Sequence, residues 1–226
     1  MREGKGMAAR PLNTQLLGEQ IVNELRTQII HGEIAQGSHL VETDIADQYE
    51  VSRGPVRDAF NRLVNEGLVV RKKRGCVVRG LSEKDVRDMY EVRAAFEEIA
   101  ANHVVRDPDK TDWAGMEQCI AGMRQALEVG NSDTYAQQDL DFHDALIKNS
   151  HNRRVIDFWS TFMPTFSVML QVTNAQDIDL NPSFHDHEEI LKSLKSGKPA
   201  DVKSLVDRHL NGSLNRMIRA LKKLKR

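Results

Sequence analysis

Residues 51–68, VSRGPVRDAFNRLVNEGL, contain the clearest helix pattern of the chain. Ser52 is a good N-cap residue, and Pro55 is tolerated in the first turn because the amides there have no intrahelical partner. Gly67 is a typical residue at which a helix ends. We therefore predict a helix between Ser52 and Gly67. Its apolar stripe, at helical spacing, consists of Val56, Phe60, Leu63 and Val64.

Two helices are predicted before this one. Apolar residues recur at helical spacing from Leu17 to Ile30, and Gly32 follows as a typical stop. Residues 42–51, ETDIADQYEV, predict a second, short helix with Thr43 as its N-cap. A turn of three or four residues then separates the short helix from the third helix.

The residues after the third helix predict a β-hairpin. Residues 68–80, LVVRKKRGCVVRG, contain two short β-rich runs around a basic turn at Arg74 and Gly75. Helix, short helix, turn, helix and hairpin, in this order, are typical of a winged helix-turn-helix domain, which we place at residues 14–79. A helical hairpin with exposed arginines is the alternative, but the caps, the turn, the apolar stripe and the basic wing favour the winged domain.

Composition narrows the class of protein. The 226 residues include 32 Lys and Arg against 33 Asp and Glu, which excludes a generally basic nucleic-acid coat protein but not a locally basic reader. Residues 1–80 carry 12 Lys and Arg against 10 Asp and Glu, and the run RKKR at 71–74 supplies much of that excess. A run of charged residues is usually only part of a solvent-exposed surface, so RKKR does not identify the function by itself.

Cysteine usage and hydropathy indicate the compartment. Cys76 and Cys119 form neither a zinc-finger spacing nor a disulfide framework, which suits a reducing cytosol. No apolar run reaches transmembrane length, and the first ten residues lack the apolar region of a signal peptide. We therefore expect a soluble, cytoplasmic protein with no membrane partner. Residues 1–13 are expected to form a flexible tail.

The predicted third helix carries polar residues in its first two turns. Ser52, Arg53 and Arg57 lie where a helix-turn-helix enters the major groove. Arginine can pair there with guanine edges, and serine can bind phosphate. The first amides of the helix can also donate to a phosphate. These features predict a reader of double-stranded DNA.

The first eighty residues resemble the DNA-binding domain of the GntR family of bacterial transcription regulators. The resemblance runs from about Leu16 to Val78 and centres on VSRGPVR, with RGCVV after it. Thr43 departs from the family pattern, because some members have an arginine at the start of the short helix. By resemblance, the residues that contact DNA are Ser52, Arg53, Gly54, Pro55, Arg57, Arg74 and Gly75.

Residues 80–226 show only helical patterns and predict an all-α bundle of six helices. Ser82, with Asp85 three residues later, is a capping-box start for the first of them. The predicted helices are 83–106, 112–129, 132–149, 152–172, 184–196 and 199–224. The fourth helix carries aromatic residues that belong either to the core or to an interface, namely Phe158, Trp159, Phe162 and Phe166.

The stretch DLDFHD at 139–144 raises the question of a polar site inside this bundle. Asp139 and His143 are four positions apart, within the apolar stripe of their helix, so both are predicted to face inward. Asp141 and Asp144 point away from that stripe and are expected to be solvated. Burying a carboxylate is costly unless it has a partner, so Asp139 requires one.

Two more histidines are predicted to face inward from later helices. His187 and His209 each lie in line with the apolar positions of their own helix, whereas His185 lies on the opposite side. A single inward histidine is more often a hydrogen-bonded core residue than a ligand, and that interpretation remains open here. One aspartate and three histidines also suit Zn²⁺, Ni²⁺ or Mn²⁺, and ligand type alone does not choose between these ions.

The helical region resembles the ligand-sensing FCD domain of the FadR branch of the GntR family, in its VanR-like, metal-binding form. That form has D-x-x-x-H on one helix and two later histidines, which DLDFH, His187 and His209 match. The resemblance implies that a divalent metal ion is bound by Asp139, His143, His187 and His209.

Arg93 and Glu97 share the apolar stripe of the first helix of the bundle, so they either face inward or form a surface ion pair. A buried Arg93 could bind a carboxylate through two hydrogen bonds. The resemblance implies that Arg93, Glu97 and Asn152 lie at an effector cavity. An arginine beside a metal ion with an open position indicates a small carboxylate as the effector.

Together these features favour a ligand-responsive transcriptional regulator, expected to be a repressor and not an enzyme. A homodimer is expected to read a palindromic operator, because one winged domain offers few contacts. We expect a bacterial protein that associates with the nucleoid when bound to DNA. Two alternatives remain: a metal-dependent hydrolase or lyase with a nucleic-acid-binding appendage, and a regulator that senses the metal itself.

Overall fold

The computed structural model describes residues 14–177 and 179–224, and the predicted tail at 1–13 lies outside them. The N-terminal domain has the predicted order of helices followed by a hairpin, which confirms the winged helix-turn-helix. Its elements are α1 Thr14–His31, β1 His39–Leu40, α2 Glu42–Gln48, α3 Arg53–Asn65, β2 Val69–Lys72 and β3 Gly75–Val78.

The helical domain follows, and its six α-helices within the described residues confirm the predicted class. Pro108–Lys110 forms a short 3-10 turn between the first two of them. The helices are α4 Glu83–Arg106, α5 Trp113–Glu128, α6 Ser132–Asn149, α7 Arg153–Ala175, α8 Asn181–Ser196 and α9 Pro199–Leu224. In the described part of the chain, no helix has the length and apolar character needed to cross a membrane.

The helix boundaries agree closely with the predictions where a local signal sets them. Ser82 and Asp85 form the predicted capping box at the start of α4, with reciprocal hydrogen bonds of 3.1 and 3.0 Å. α8 begins three residues earlier than predicted, at Asn181, because Pro182 occupies the first turn, where its missing N–H is tolerated. α7 extends to Ala175, beyond the predicted end at residue 172.

The wing contains a strand that the sequence did not predict. The strand order is β1-β3-β2, and both pairings are antiparallel, with His39 opposite Val77 and Leu40 opposite Cys76. A two-residue strand has too little alternation to be identified from sequence. It explains the need for glycine at position 75, since Gly75 has a φ of +94° and any side chain there would collide with the backbone of Leu40.

The starts of α2 and α3 differ in detail from the predictions. α2 begins at Glu42 with Val41 in the N-cap position, so the prediction that Thr43 caps this helix was wrong. Ser52 does occupy the N-cap position of α3, but its hydroxyl makes no capping hydrogen bond. The exposed hydroxyl of Ser52 is therefore available to another partner.

One helix of the helical domain is bonded to the end of α3. Thr165 of α7 donates a hydrogen bond of 3.0 Å to the carboxylate of Glu66, the C-cap residue of α3. The same carboxylate accepts hydrogen bonds of 2.6 and 2.7 Å from Arg26 of α1. All three side chains are buried. The N-terminal domain and the helical domain therefore share a polar contact that is shielded from water.

The aromatic residues of α7 divide between core and surface. Trp159 and Phe166 are buried, and their rings stack with centroids 5.5 Å apart. Phe158 is 58% exposed, and its ring stacks on Phe96 of α4 at 6.5 Å. The helix therefore contributes to the core with one side and leaves apolar surface on the other.

Candidate functional site

Three helices bring the predicted metal ligands together in the interior of the helical domain. Asp139 and His143 lie on successive turns of α6, His187 comes from α8 and His209 from α9. Each of the four is at most 2% exposed. One ligand atom from each residue lies within 4.8 Å of the others.

The imidazoles direct the same nitrogen atom toward one centre. Nε2 of His143 lies 3.2 Å from Nε2 of His187 and 3.2 Å from Nε2 of His209. Oδ1 of Asp139 lies 3.3 Å from Nε2 of His143 and 3.5 Å from Nε2 of His187. Two ligands that are each about 2.0–2.1 Å from a tetrahedral ion lie about 3.3–3.4 Å apart. The observed spacing fits a single ion bound by these side chains.

Hydrogen bonds on the outer nitrogens fix the orientation of two of the rings. Nδ1 of His143 donates to the carboxylate of Glu97 at 2.9 Å, and Nδ1 of His187 donates to the backbone carbonyl of Ser183 at 2.7 Å. A proton on Nδ1 leaves a lone pair on Nε2. Two such lone pairs that face each other are repulsive unless a cation lies between them, so the geometry suits a metal ion.

The charges around the cluster favour a cation. Burial lowers the pKa of His143, but the carboxylates of Glu97 and Asp139 outweigh burial and raise this pKa above its ordinary value. Burial raises the pKa of Asp139, but the charge of His187 and hydrogen bonds from both histidines lower it well below the ordinary value. Burial and the charge of His187 lower the pKa of His209 to about 3. The raised pKa of His143 shows that its surroundings favour a positive charge, and the lowered pKa values of Asp139 and His209 favour the ionised carboxylate and the neutral imidazole that bind metal.

A buried ion pair lies directly behind His143. Nε of Arg93 donates to Oε1 of Glu97 at 2.7 Å, while Oε2 of Glu97 accepts the hydrogen bond from His143. Arg93 and Glu97 are both fully buried, so the surface ion pair that the sequence left open is excluded. Burial raises the pKa of Glu97, but the positive charges of His143 and Arg93 lower it to about 2. The carboxylate is therefore ionised between two donors.

Arg93 retains unused hydrogen-bonding capacity. Both terminal nitrogens of its guanidinium are buried and have no hydrogen-bond partner within residues 14–177 and 179–224. The guanidinium lies 5.7, 5.9 and 5.2 Å from the ring centroids of Tyr90, Trp159 and Phe166. A buried, unpaired N–H group costs about 1–3 kcal/mol, so these nitrogens suit a ligand that supplies acceptors.

Two polar side chains have local structural roles that were not predicted. Asn152 is the N-cap of α7, where its Oδ1 accepts hydrogen bonds of 3.1 and 3.4 Å from the amides of Arg154 and Val155. A contact between Asn152 and an effector therefore stays a prediction. Asp144 accepts a hydrogen bond of 3.0 Å from the indole of Trp159 and is mostly buried, so the expectation that it is solvated was wrong.

Two polar residues on the helix faces that carry the candidate ligands, Tyr135 and Arg216, were missed by sequence reasoning. The hydroxyl of Tyr135 is buried, and no partner for it lies among the described residues. Burial and the charge of Asp139 raise the pKa of Tyr135. Tyr135 is one helical turn before Asp139, and Arg216 is two turns after His209, so both lie on the faces that carry the ligands. This spacing was the signal that could have identified them.

The start of α3 and the wing present most of the predicted DNA contacts to solvent. Ser52, Arg53, Gly54, Arg57 and Arg74 are exposed. Arg57 is paired with Glu42 of α2 at 3.3 Å. Because its side chain is 62% exposed, a nucleic-acid partner could replace this weak contact. The exposed wing residues Arg71, Lys72 and Lys73 add positive charge that the predicted set did not include.

Two of the predicted contact residues are buried. Pro55 packs against α1, with its carbonyl oxygen close to Gly18, and Gly75 lies against the backbone of Leu40. The structure therefore gives both residues a structural role instead of a surface from which to contact DNA. Pro55 suits the first turn of α3, and Gly75 suits the turn between β2 and β3.

Two protein-family models match separate parts of the chain. Residues 17–78 match the model described as bacterial regulatory proteins, gntR family, and residues 88–212 match the FCD domain. The chain belongs to the GntR family. Members of this family are transcription regulators, so this GntR-family protein is a DNA-binding regulator and not an enzyme. The family assignment confirms the predicted class.

Relatives of this GntR-family protein are named as repressors. The gluconate operon transcriptional repressor of Bacillus licheniformis is 24% identical over 184 residues, covering 79% of this chain and 76% of the relative. The HTH-type transcriptional repressor RspR of Escherichia coli (strain K12) is 34% identical over 134 residues, which is 59% of each chain.

Solved structures of other regulators share the fold. Escherichia coli McbR/YncC superposes with a TM-score of 0.70 at 18% identity, covering 94% of this chain and 99% of that one. A transcriptional regulator GntR from Rhodococcus sp. RHA1 superposes with a TM-score of 0.68 at 23% identity, covering 89% and 97%. These likenesses establish the architecture of a winged helix-turn-helix followed by a helical domain.

Proposed function

We propose that this GntR-family protein is a ligand-responsive transcriptional repressor that binds a palindromic operator on double-stranded DNA as a homodimer. Relatives in Bacillus and Escherichia coli carry the name of transcriptional repressors. The exposed arginines at the start of α3 and in the wing supply the positive surface that a DNA reader needs. The protein acts in the bacterial cytoplasm and joins the nucleoid when it is bound to its operator.

The proposal includes a divalent metal ion held by Asp139, His143, His187 and His209. The observation that carries it is the convergence of four buried ligand atoms within 4.8 Å. One carboxylate and three imidazoles suit Zn²⁺, Ni²⁺ or Mn²⁺. An ion held by all four side chains would accept an anionic ligand by expanding its coordination beyond four, as zinc does in catalytic sites.

The proposed effector is a small organic acid that binds beside the metal ion and Arg93. Glu97 satisfies only Nε of Arg93, and the two terminal nitrogens remain unpaired. A carboxylate accepts two parallel hydrogen bonds from such a guanidinium. Asn152 remains a proposed contributor through the family resemblance. Because one relative is a gluconate operon repressor, hydroxy acids related to sugars are the first ligands to test.

The effector site can influence the DNA-reading helix through residues in mutual contact. Glu97 accepts a hydrogen bond from Arg93. The guanidinium of Arg93 lies 5.2 Å from the ring centroid of Phe166. The adjacent residue, Thr165, is bonded to Glu66 at the end of α3. A cavity of about 210 Å³ borders Arg93, Phe166 and Glu66. We propose that effector binding moves Arg93 and thereby shifts the position of α3, which requires unequal affinity for the two states.

A regulator that senses the metal itself is the second candidate function. It is favoured by the burial of all four ligands, none of which is more than 2% exposed. In this case the metal ion alone would stabilise the form that binds, or the form that releases, the operator. An organic acid would then have no effect beyond that of the metal.

A thermal-shift screen of small carboxylic acids, run with metal and after chelation, tests these proposals. A ligand at a hundred times its dissociation constant stabilises a protein by about 2.7 kcal/mol. We expect at least one acid to stabilise only the metal-loaded protein. Stabilisation that persists after chelation would contradict a role of the metal in effector binding. Loss of operator binding on chelation, with no response to any acid, would favour metal sensing.

Replacing Arg57 by alanine is expected to weaken operator binding by about 1–3 kcal/mol and to relax the preference for one base pair. The reason is that the exposed guanidinium of Arg57 lies in the part of α3 that enters the major groove. Fluorescence anisotropy at fixed salt, with operator and scrambled DNA, measures the effect. Arg62→Ala, near the other end of α3, is the control. An equal loss on all sequences would assign Arg57 to phosphate instead of a base.

A further inference from the structure

The outward face of α4 carries a regular pattern of exposed residues. These residues are spaced alternately by four and three positions, which is the heptad spacing of helices that pair in a coiled coil. The spacing continues over five turns of the helix, from residue 88 to residue 106. We refer to the six residues as the α4 seam, and they are Asp88, Val92, Ala95, Ile99, Asn102 and Arg106.

The middle of the α4 seam is apolar. Val92 is 45% exposed and Ile99 is 39% exposed. Phe96, on the same part of α4, stacks on Phe158 of α7, which is 58% exposed. Single exposed apolar residues are common on protein surfaces, but a cluster on a helix that is otherwise charged marks a surface for a partner.

The α4 seam is acidic at one end and basic at the other, so two antiparallel copies of it have complementary charges. Suppose that a second α4 lies antiparallel to the first, with residue 97 of one helix level with residue 97 of the other. Asp88 of each helix then faces Arg106 of the other. The apolar residues of the seam fall between these two charged ends. The same reversal places acidic residues opposite basic ones at two further pairs of positions, Glu91 with His103 and Arg87 with Asp107.

This self-complementarity identifies the partner. An unrelated helix would have to match the charges of the seam by chance, whereas a second copy matches them by symmetry, because each copy supplies both the acidic and the basic end. Ala95 lies close to residue 97, and its small side chain allows two helix backbones to approach closely there.

We propose that the α4 seam is the surface on which two copies of this chain pair, antiparallel, about a two-fold axis level with residue 97. This inference rests on the proposed homodimer and names its interface. The opposite face of the same helix carries Arg93 and Glu97, next to the metal ligands. A shift of α4 on effector binding would therefore act directly on the contact between the two copies.

Charge reversal at the ends of the seam tests the proposal in the full-length protein by sedimentation equilibrium. Asp88→Arg replaces two attractive contacts in each dimer by two repulsive ones and is expected to weaken dimerisation roughly tenfold or more. Arg106→Asp is expected to do the same. The double variant, Asp88→Arg with Arg106→Asp, restores opposite charges and is expected to recover most of the lost affinity.

A charge near the centre of the seam is expected to have a larger effect. Ala95→Glu brings two carboxylates together beside the two-fold axis, and we expect dimerisation to weaken roughly a hundredfold or more. Two controls place the same changes on exposed positions of α5, as Ala121→Glu and Glu128→Arg, and these are expected to leave the dimer intact. Circular dichroism verifies that each variant is folded.

The possible results separate the two proposals. Weakening by the single variants, with recovery in the double variant, supports the α4 seam. A wild-type dimer that none of the seam variants weakens would assign the interface to another surface and overturn this inference, while the proposed homodimer would stand. A wild-type protein that stays monomeric at every concentration would overturn both.

Discussion

Replacing Arg26 by alanine is expected to lower the free energy of unfolding by about 3–5 kcal/mol, because it breaks a buried ion pair and leaves one charge behind. The side chains of Arg26 and Glu66 are 4% and 5% exposed, and they are joined by hydrogen bonds of 2.6 and 2.7 Å. In the variant, the carboxylate of Glu66 would keep only its hydrogen bond from the hydroxyl of Thr165. Urea unfolding followed by far-ultraviolet circular dichroism measures the loss.

The chain offers a matched control between the same two segments. Arg62 of α3 pairs with Glu19 of α1 at 3.6 Å, and both side chains are about half exposed. Arg62→Ala is expected to cost less than about 1 kcal/mol, because water screens this pair. The double variant Arg26→Met with Glu66→Leu removes both buried charges and is expected to recover much of the stability. Equal losses for Arg26→Ala and Arg62→Ala would show that Glu66 is not shielded from water.

The second large effect is expected on metal binding. Replacing His187 by alanine should lower metal affinity by more than about a hundredfold, since even the loss of an outer hydrogen bond to a metal ligand costs about 10–100-fold. DNA binding without effector should persist, while the response to the effector should weaken or disappear. Isothermal titration with Zn²⁺, Ni²⁺ and Mn²⁺ and thermal unfolding with and without metal measure these effects.

The control for this variant lies on the same helix. His185 is exposed, and it contacts Glu188 at 3.2 Å and not the metal ligands. His185→Ala should therefore bind metal as the wild type does. Truncating a buried ring also leaves a cavity, so the informative quantity is the difference in stability with and without metal. If His187→Ala retains the full metal-dependent stabilisation, His187 is a core residue and not a ligand.

Local signals explain why several helix boundaries in both domains could be predicted. The stop at Gly67 and the capping box of Ser82 and Asp85 are properties of a few neighbouring residues, and the structure has them where they were expected. The wrong cap at Thr43 and the missed strand at His39–Leu40 share a cause. The start of α2 and the formation of β1 both depend on contacts with distant parts of the chain. The preferences of neighbouring residues do not describe such contacts.

The orientation of each candidate metal ligand could be predicted, because it follows from the position of that residue in the apolar stripe of its own helix. Asp139, His143, His187 and His209 are all buried, as that pattern indicated. The outer contacts of these residues were not predicted. Glu97 is 46 positions from His143, and helical periodicity does not relate residues so far apart.

The amino-acid sequence alone was sufficient for the order of the helices, the start of α3 and the inward faces of the helical domain, because these are set by contacts within a few residues. Only the folded chain brings Glu97 to His143, leaves the ends of Arg93 unpaired and joins Thr165 to Glu66, which is 99 positions away. These contacts depend on how the helices pack against one another, and the packing is a property of the whole chain.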